Sequence, residues 1–191
     1  MSATKESIIS LPNGHLRQRS KKIGIVTDEV RRLVQDMIDA TVDWEESRPH
    51  EVGVALAAIQ IDQPYRIIVV RGDFENKADK TFKVFINPEI VKLEGEIEDD
   101  FEGCLSVSDI YGKVPRYSKV RIRALDFDGR PIRVKAEGFL ARIFQHEVDH
   151  TNGLMFVDHL KDEPDAFYKL TDEGKLEPIS YDQATKTGIF R

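Results

Sequence analysis

Two histidines four positions apart, His146 and His150, with a glutamate directly after the first, are the residues in this sequence best suited to chemistry. On an α-helix that spacing stacks two side chains on one face, so both imidazoles can reach a single cation. The run His146-Glu147-Val148-Asp149-His150 then reads as the larger part of a metal site. Glu147 is the carboxylate left free to carry a proton while the cation acidifies a water molecule. A catalytic cation takes three protein ligands and keeps one position open, so a third donor is needed. The candidates are Glu163 and Glu173 downstream and Cys104 upstream. Cys104 lies in Glu102-Gly103-Cys104-Leu105-Ser106, where a thiolate would be a soft, strong ligand and the glycine permits close backbone approach. Asp149, between the histidines, is placed to hold one imidazole in its tautomer.

The elements that must present these groups can be read from periodicity. Phe139, Ile143, His146 and His150 recur at four, three and four, which predicts a helix over 138–152, stopped by Gly153 as a left-handed cap. A longer helix is predicted from Asp28 to about Ser47, with Val30, Leu33, Val34, Met37, Ile38, Thr41 and Trp44 on its core stripe and Thr27 or Asp28 as cap. Arg48-Pro49 ends it, because proline disfavours helical backbone in the residue before it. A loop through His50 and Glu51 leads to the small-residue segment 53–60. Branched and aromatic runs predict strands at 65–71 and 82–87. Alternation over 119–126 and again at Ile132, Val134 and Ala136, around Asp128-Gly129, predicts a hairpin.

Composition limits the function classes. The chain has 191 residues, a length that one core can serve, with 40% hydrophobic and 32% charged residues. No apolar run approaches the length of a membrane span, and Met1–Pro12 offers only Ile8-Ile9 as an apolar patch, too short for an export signal. Cys104 is the only cysteine, so no internal disulfide can form and a reducing, cytoplasmic setting is the expectation. A net charge of -6 argues against general or sequence-specific nucleic-acid binding. Residues 161–191 are polar and net acidic and are expected to pack on, or trail from, a catalytic domain spanning 1–160.

Three blocks taken together are more specific than any one of them: Gly53-Val54-Ala55-Leu56-Ala57-Ala58-Ile59-Gln60, then Glu102-Gly103-Cys104-Leu105-Ser106, then Gln145-His146-Glu147-Val148-Asp149-His150. In order and content they resemble the peptide deformylase family, and the likeness extends through Phe85–Glu89, Val114-Pro115-Arg116 and the hairpin, over roughly residues 8–160. The resemblance implies an α+β fold in which antiparallel strands surround a central helix bearing the two histidines. It implies Cys104, His146 and His150 as ligands of one divalent metal, ferrous iron in the cell, with Zn2+, Ni2+ or Co2+ able to take its place in purified protein. The implied reaction removes the N-formyl group from the N-terminal methionine of new polypeptides and releases formate, with Glu147 as general base.

By the same resemblance Gln60 and the backbone amide of Leu105 donate to the developing oxyanion. Glu102 and Arg116 form a buried pair behind the metal loop. Gly53, Val54, Ala55, Gly103, Phe139, Arg142 and Ile143 contact the substrate. The partners it implies are an N-formylmethionyl peptide and, transiently, the ribosome, with no membrane. Ala55 stands where the pattern has glycine, Ile59 where it has Pro or Thr, and Thr151 where it has Leu. The first departure is expected to narrow the groove for the peptide. Two other readings share the histidine helix: a zinc endopeptidase using a downstream glutamate as third ligand, and a non-catalytic formyl-peptide or ribosome-associated binding protein.

Overall fold

A computed structural model of the chain describes residues 3–190; Met1, Ser2 and Arg191, parts of the terminal segments considered above, lie outside the described residues. Among the described residues seven strands join one antiparallel sheet. They are β1 (Ala55–Ala57), β2 (Ile67–Arg71), β3 (Phe82–Cys104), β4 (Val107–Leu125), β5 (Pro131–Glu137), β6 (Phe167–Leu170) and β7 (Leu176–Pro178). The order is β1-β2-β3-β4-β6-β7, with β5 also paired to β4. The α-helices among the described residues are α1 (Asp28–Glu46), α2 (Gly138–Thr151) and the short α3 (Tyr181–Lys186). The architecture is α+β, and no helix among the described residues is long and apolar enough to cross a membrane.

The continuous apolar run of β2 is explained by burial on both faces. Side chains of a strand alternate, so Ile68 and Val70 join the cluster around Ala141, Ile143 and Phe144 of α2, while Ile67 and Val69 join Val34, Met37, Ala40 and Trp44 of α1. β1 repeats the alternation, with Ala55 and Ala57 on the α2 side and Leu56 on the α1 side. α2 is therefore enclosed, and its residues from Ala141 to Val148 are all buried. A third cluster, around Leu16, Val114, Phe156 and Leu160, takes in Phe167, Ala184 and Ile189 from the last segment of the chain.

The two main helices, the turn of the β4–β5 hairpin and β5 fall within a residue or so of their predicted bounds, and Gly153 takes the left-handed conformation expected of it. Thr27 is the residue before α1, but its side chain makes no capping bond. The strand expected at 82–87 instead continues to Cys104, and β4 begins at Val107, well before the predicted hairpin. Beyond Ile90 the strand pairs only with β4 and is mostly exposed, so its alternating Val91, Leu93 and Ile97 face solvent instead of marking a core. Cross-strand pairs such as Glu94 with Arg121 and Glu89 with Arg123 take the place of a core, and β-bulges interrupt the register. The β3–β4 turn at its far end delivers Cys104 to α2.

Candidate active site

Cys104 ends β3, and the two residues Leu105 and Ser106 turn the chain back so that Cys104 faces Val107. Gly103 is required there, because a Cβ would lie 2.5 Å from the Tyr111 ring. Opposite this turn α2 presents His146 and His150, whose rings meet edge to face at 4.7 Å between centroids. The Cys104 Sγ lies 3.3 Å from His150 Nε2, which lies 3.1 Å from His146 Nε2, and all three donor atoms fall within 4.8 Å of one another. A tetrahedral cation with ordinary bond lengths gives nitrogen–nitrogen and nitrogen–sulfur edges of about 3.3 and 3.6 Å. The donors thus fit one divalent ion in both type and spacing.

Cys104, His146 and His150 are the only such group of metal-binding side chains among the described residues. Glu163 and Glu173 lie outside it, and Glu173 pairs with Lys175 instead. The zinc endopeptidase reading thereby loses its third ligand.

His146 is oriented by Glu102, whose Oε2 accepts from Nδ1 at 2.8 Å and so turns Nε2 toward the site. Glu102 accepts in turn from Arg116 Nε and Nη2 at 2.8 and 3.1 Å and from Arg142 Nη1 at 3.0 Å. Burial alone would raise the Glu102 carboxyl, but the bonds from His146 and Arg116 outweigh it and hold it well below the usual carboxylate range. Burial likewise opposes charge on His146, yet the neighbouring Cys104 and its bond to Glu102 draw it toward the protonated form; His150, buried beside it, is driven toward the neutral form. The expected role of Asp149 is corrected. Its carboxylate bonds neither ligand imidazole: Oδ2 accepts from Arg116 and from His159.

Glu147 is buried, its Oε2 has no hydrogen-bond partner among the described residues, and burial pushes its carboxyl up to about 7. Gln60, on a 3-10 turn at Ala58–Ile61, accepts from the Ala57 amide at 2.8 Å through Oε1. That bond aims its NH2 at Ser106 Oγ, 3.1 Å away, and Cys104 Sγ, 3.4 Å away.

Beside these groups opens a cavity of about 340 Å3, lined by Gln60, Cys104, Leu105, His146 and Glu147 at its polar end. Val54, Ala55, Gly103, Phe139, Arg142 and Ile143 also line it, while the Arg142 guanidinium is tied to Glu102 and to the carbonyls of Glu98, Asp100 and Val114. Gly53 does not line it. Its amide donates to Glu45, its carbonyl accepts from Arg71, and a Cβ there would strike Thr41, so this glycine serves packing behind the wall.

Trp44, His50, Phe74, Phe101 and Tyr111 line the cavity without having been singled out in the sequence. Trp44 read as one more residue of a core stripe, and the aromatic residues come from separate loops and strands that show no shared spacing.

The family whose model matches residues 5–165 is polypeptide deformylase. A peptide deformylase of Nitrobacter hamburgensis is 42% identical over 156 residues, covering 80% of this chain and 85% of its own, and one of Thermomicrobium roseum is 43% identical over 159 residues, covering 82% and 86%. Among solved structures, a peptide deformylase of Synechococcus elongatus in complex with actinonin is similar at a TM-score of 0.74 with 34% identity, covering 82% of this chain and 80% of the other. One of Legionella pneumophila is similar at 0.73 with 37% identity, covering 85% and 88%.

Proposed function

The chain belongs to the polypeptide deformylase family, metal-dependent hydrolases that remove the N-formyl group from nascent polypeptides, and we propose how its own side chains divide that work. Cys104, His146 and His150 hold the cation. It is ferrous iron in the cell, and zinc, nickel or cobalt suits the same donors in purified protein. Bound there, it supplies a Lewis acid that acidifies water and polarises the formyl carbonyl. Glu147 takes the proton of the attacking water and returns it to the leaving nitrogen. The Gln60 NH2 and the Leu105 backbone amide face the carbonyl oxygen as charge develops on it, a contribution of about 3 kcal/mol per donor.

β1 is the terminal strand of the sheet, so an extended peptide can pair along its open edge beside the cavity. Val54, Phe139, Ile143 and the Arg142 stem then receive the methionine side chain. We place the enzyme in the cytoplasm, meeting its substrates transiently at the ribosome, and we treat residues 161–191 as part of the same domain.

The convergence of Cys104, His146 and His150 beside the unpaired Glu147 carries this reading. Protein purified with Fe2+ in the absence of oxygen should release formate from formyl-Met-Ala-Ser. One equivalent of bound metal with no formate would overturn it, in favour of a binding protein.

A further inference from the structure

His159 has no part in the chemistry above, yet it is joined to it by hydrogen bonds. It lies on the 3-10 turn Phe156–Leu160, with its side chain 33% exposed. Its Nε2 is 2.8 Å from Asp149 Oδ2, and the same oxygen accepts from Arg116 Nη1 at 2.6 Å. Arg116 commits its Nε and Nη2 to the two oxygens of Glu102, and Glu102 holds His146 Nδ1. We infer that His159 is a positioning residue for the metal site, fixing His146 through the chain His159–Asp149–Arg116–Glu102–His146. The inference rests on the metal site proposed above.

The chain is mechanical as well as electrostatic. Arg116 divides one planar guanidinium between two carboxylates, so its grip on Glu102 depends on where Asp149 stands. Asp149 is the least buried of the two acids and the arginine, with 17% of its side chain exposed against 4% for Glu102 and 6% for Arg116. It is thus the link freest to swing toward solvent. A donor from His159 on Oδ2 holds it in place. The Nε2–H points at Asp149, so the 3.4 Å approach of Arg116 Nη1 is a contact between two donors that share one acceptor. The same 3-10 turn lays Phe156 against His146, with rings nearly parallel at 6.2 Å, so it reaches that ligand by two routes.

The test uses Co2+ as the probe, with the protein's affinity measured by competition against a chelator and its visible absorption recorded. The kcat and KM for formyl-Met-Ala-Ser are measured on the same samples. Partners that directly orient a metal ligand are worth about 10- to 100-fold in affinity. At two links' remove, His159→Leu should weaken Co2+ binding about tenfold or somewhat less and alter the absorption bands, with KM unchanged.

His159→Gln, whose amide reaches the position of Nε2, should restore binding to within about twofold. With Asp149→Asn already present, His159→Leu should add less than about twofold, since coupled residues are not additive. Wild-type affinity in His159→Leu, a His159→Gln variant as weak as His159→Leu, or full additivity with Asp149→Asn would each overturn the inference. A wild-type protein that binds no Co2+ through Cys104 would instead overturn the metal-site reading beneath it.

Discussion

Replacing Glu147 with glutamine separates the metal site from the proton it must move. The residue is 4% exposed, its Oε2 is buried without a partner among the described residues, and it is not one of the three converging donors. A neutral amide of the same length therefore fits the space and leaves the ligands in place. An unsatisfied buried group costs about 1–3 kcal/mol, and more when charged. The exchange should accordingly raise the unfolding free energy of the protein by about 1 kcal/mol once the unpaired atoms of the amide itself are counted.

Turnover should move the other way. A positioned acid–base group contributes about 10²–10⁴ in rate. The kcat for formate release from formyl-Met-Ala-Ser is expected to fall about 10³-fold, equivalent to about 4 kcal/mol of barrier, with KM within about threefold. Steady-state kinetics, metal analysis and urea titration on one preparation give all three quantities. Loss of the metal together with turnover would show that Glu147 is a ligand. A fall in kcat of less than about tenfold would remove it as the proton carrier.

Three further outcomes are expected. Gln60→Ala, which deletes the amide aimed past Ser106 and Cys104, should lower kcat about 10²- to 10³-fold with KM little changed, and kcat within twofold of wild type would dismiss its role. Glu45 is buried beside Arg71, Lys80 and the Gly53 amide; burial tends to raise its carboxyl, but these partners hold it below its ordinary value of 4.5. The unfolded chain takes up a proton here at higher pH than the folded one, so the stability this group contributes is complete above about pH 4.5 and falls as pH drops through the folded value. Arg71→Met should cost about 3 kcal/mol at pH 7 and less at pH 4, where the abandoned carboxylate can protonate; equal losses at both pH values in urea titrations would contradict this. Phe167→Ala, removing a fully buried ring packed on Tyr181 and Phe190, should cost about 3–5 kcal/mol, whereas a loss under 1 kcal/mol would make residues 161–191 peripheral.

What could be read in advance was what local spacing records. The stripe of α1, the turn at Asp128-Gly129, the helix bearing His146 and His150 and its stop at Gly153 each lie within one short window. β3 beyond Ile90 broke the rule because its alternating Val91, Leu93 and Ile97 bury against nothing, and its order comes from a partner strand distant in sequence. The same limit applied at the site. His146 and His150 announce themselves by their spacing, but the acid that orients His146 is Glu102, more than forty positions earlier. Asp149 was chosen for adjacency in sequence, yet its carboxylate bonds Arg116 and His159 rather than either ligand.

Ala55 contributes less to substrate fit than its place in the pattern suggests. As a break in the glycine pattern it was expected to narrow the peptide groove. In the fold it lines the cavity but is only 3% exposed and packs in the cluster with Ala57, Ile143 and Phe144, so its methyl offers little surface to a substrate. The more open part of the wall lies elsewhere. Phe139, 45% exposed at the start of α2, meets Phe74 from the β2–β3 loop edge to face at 5.2 Å, and Trp44 joins the lining from the end of α1. Three elements separated in the chain build that wall. Changes at Phe74 or Phe139 should therefore alter side-chain preference more than any exchange at position 55, because an apolar substrate chain contributes binding in proportion to the surface it removes from water.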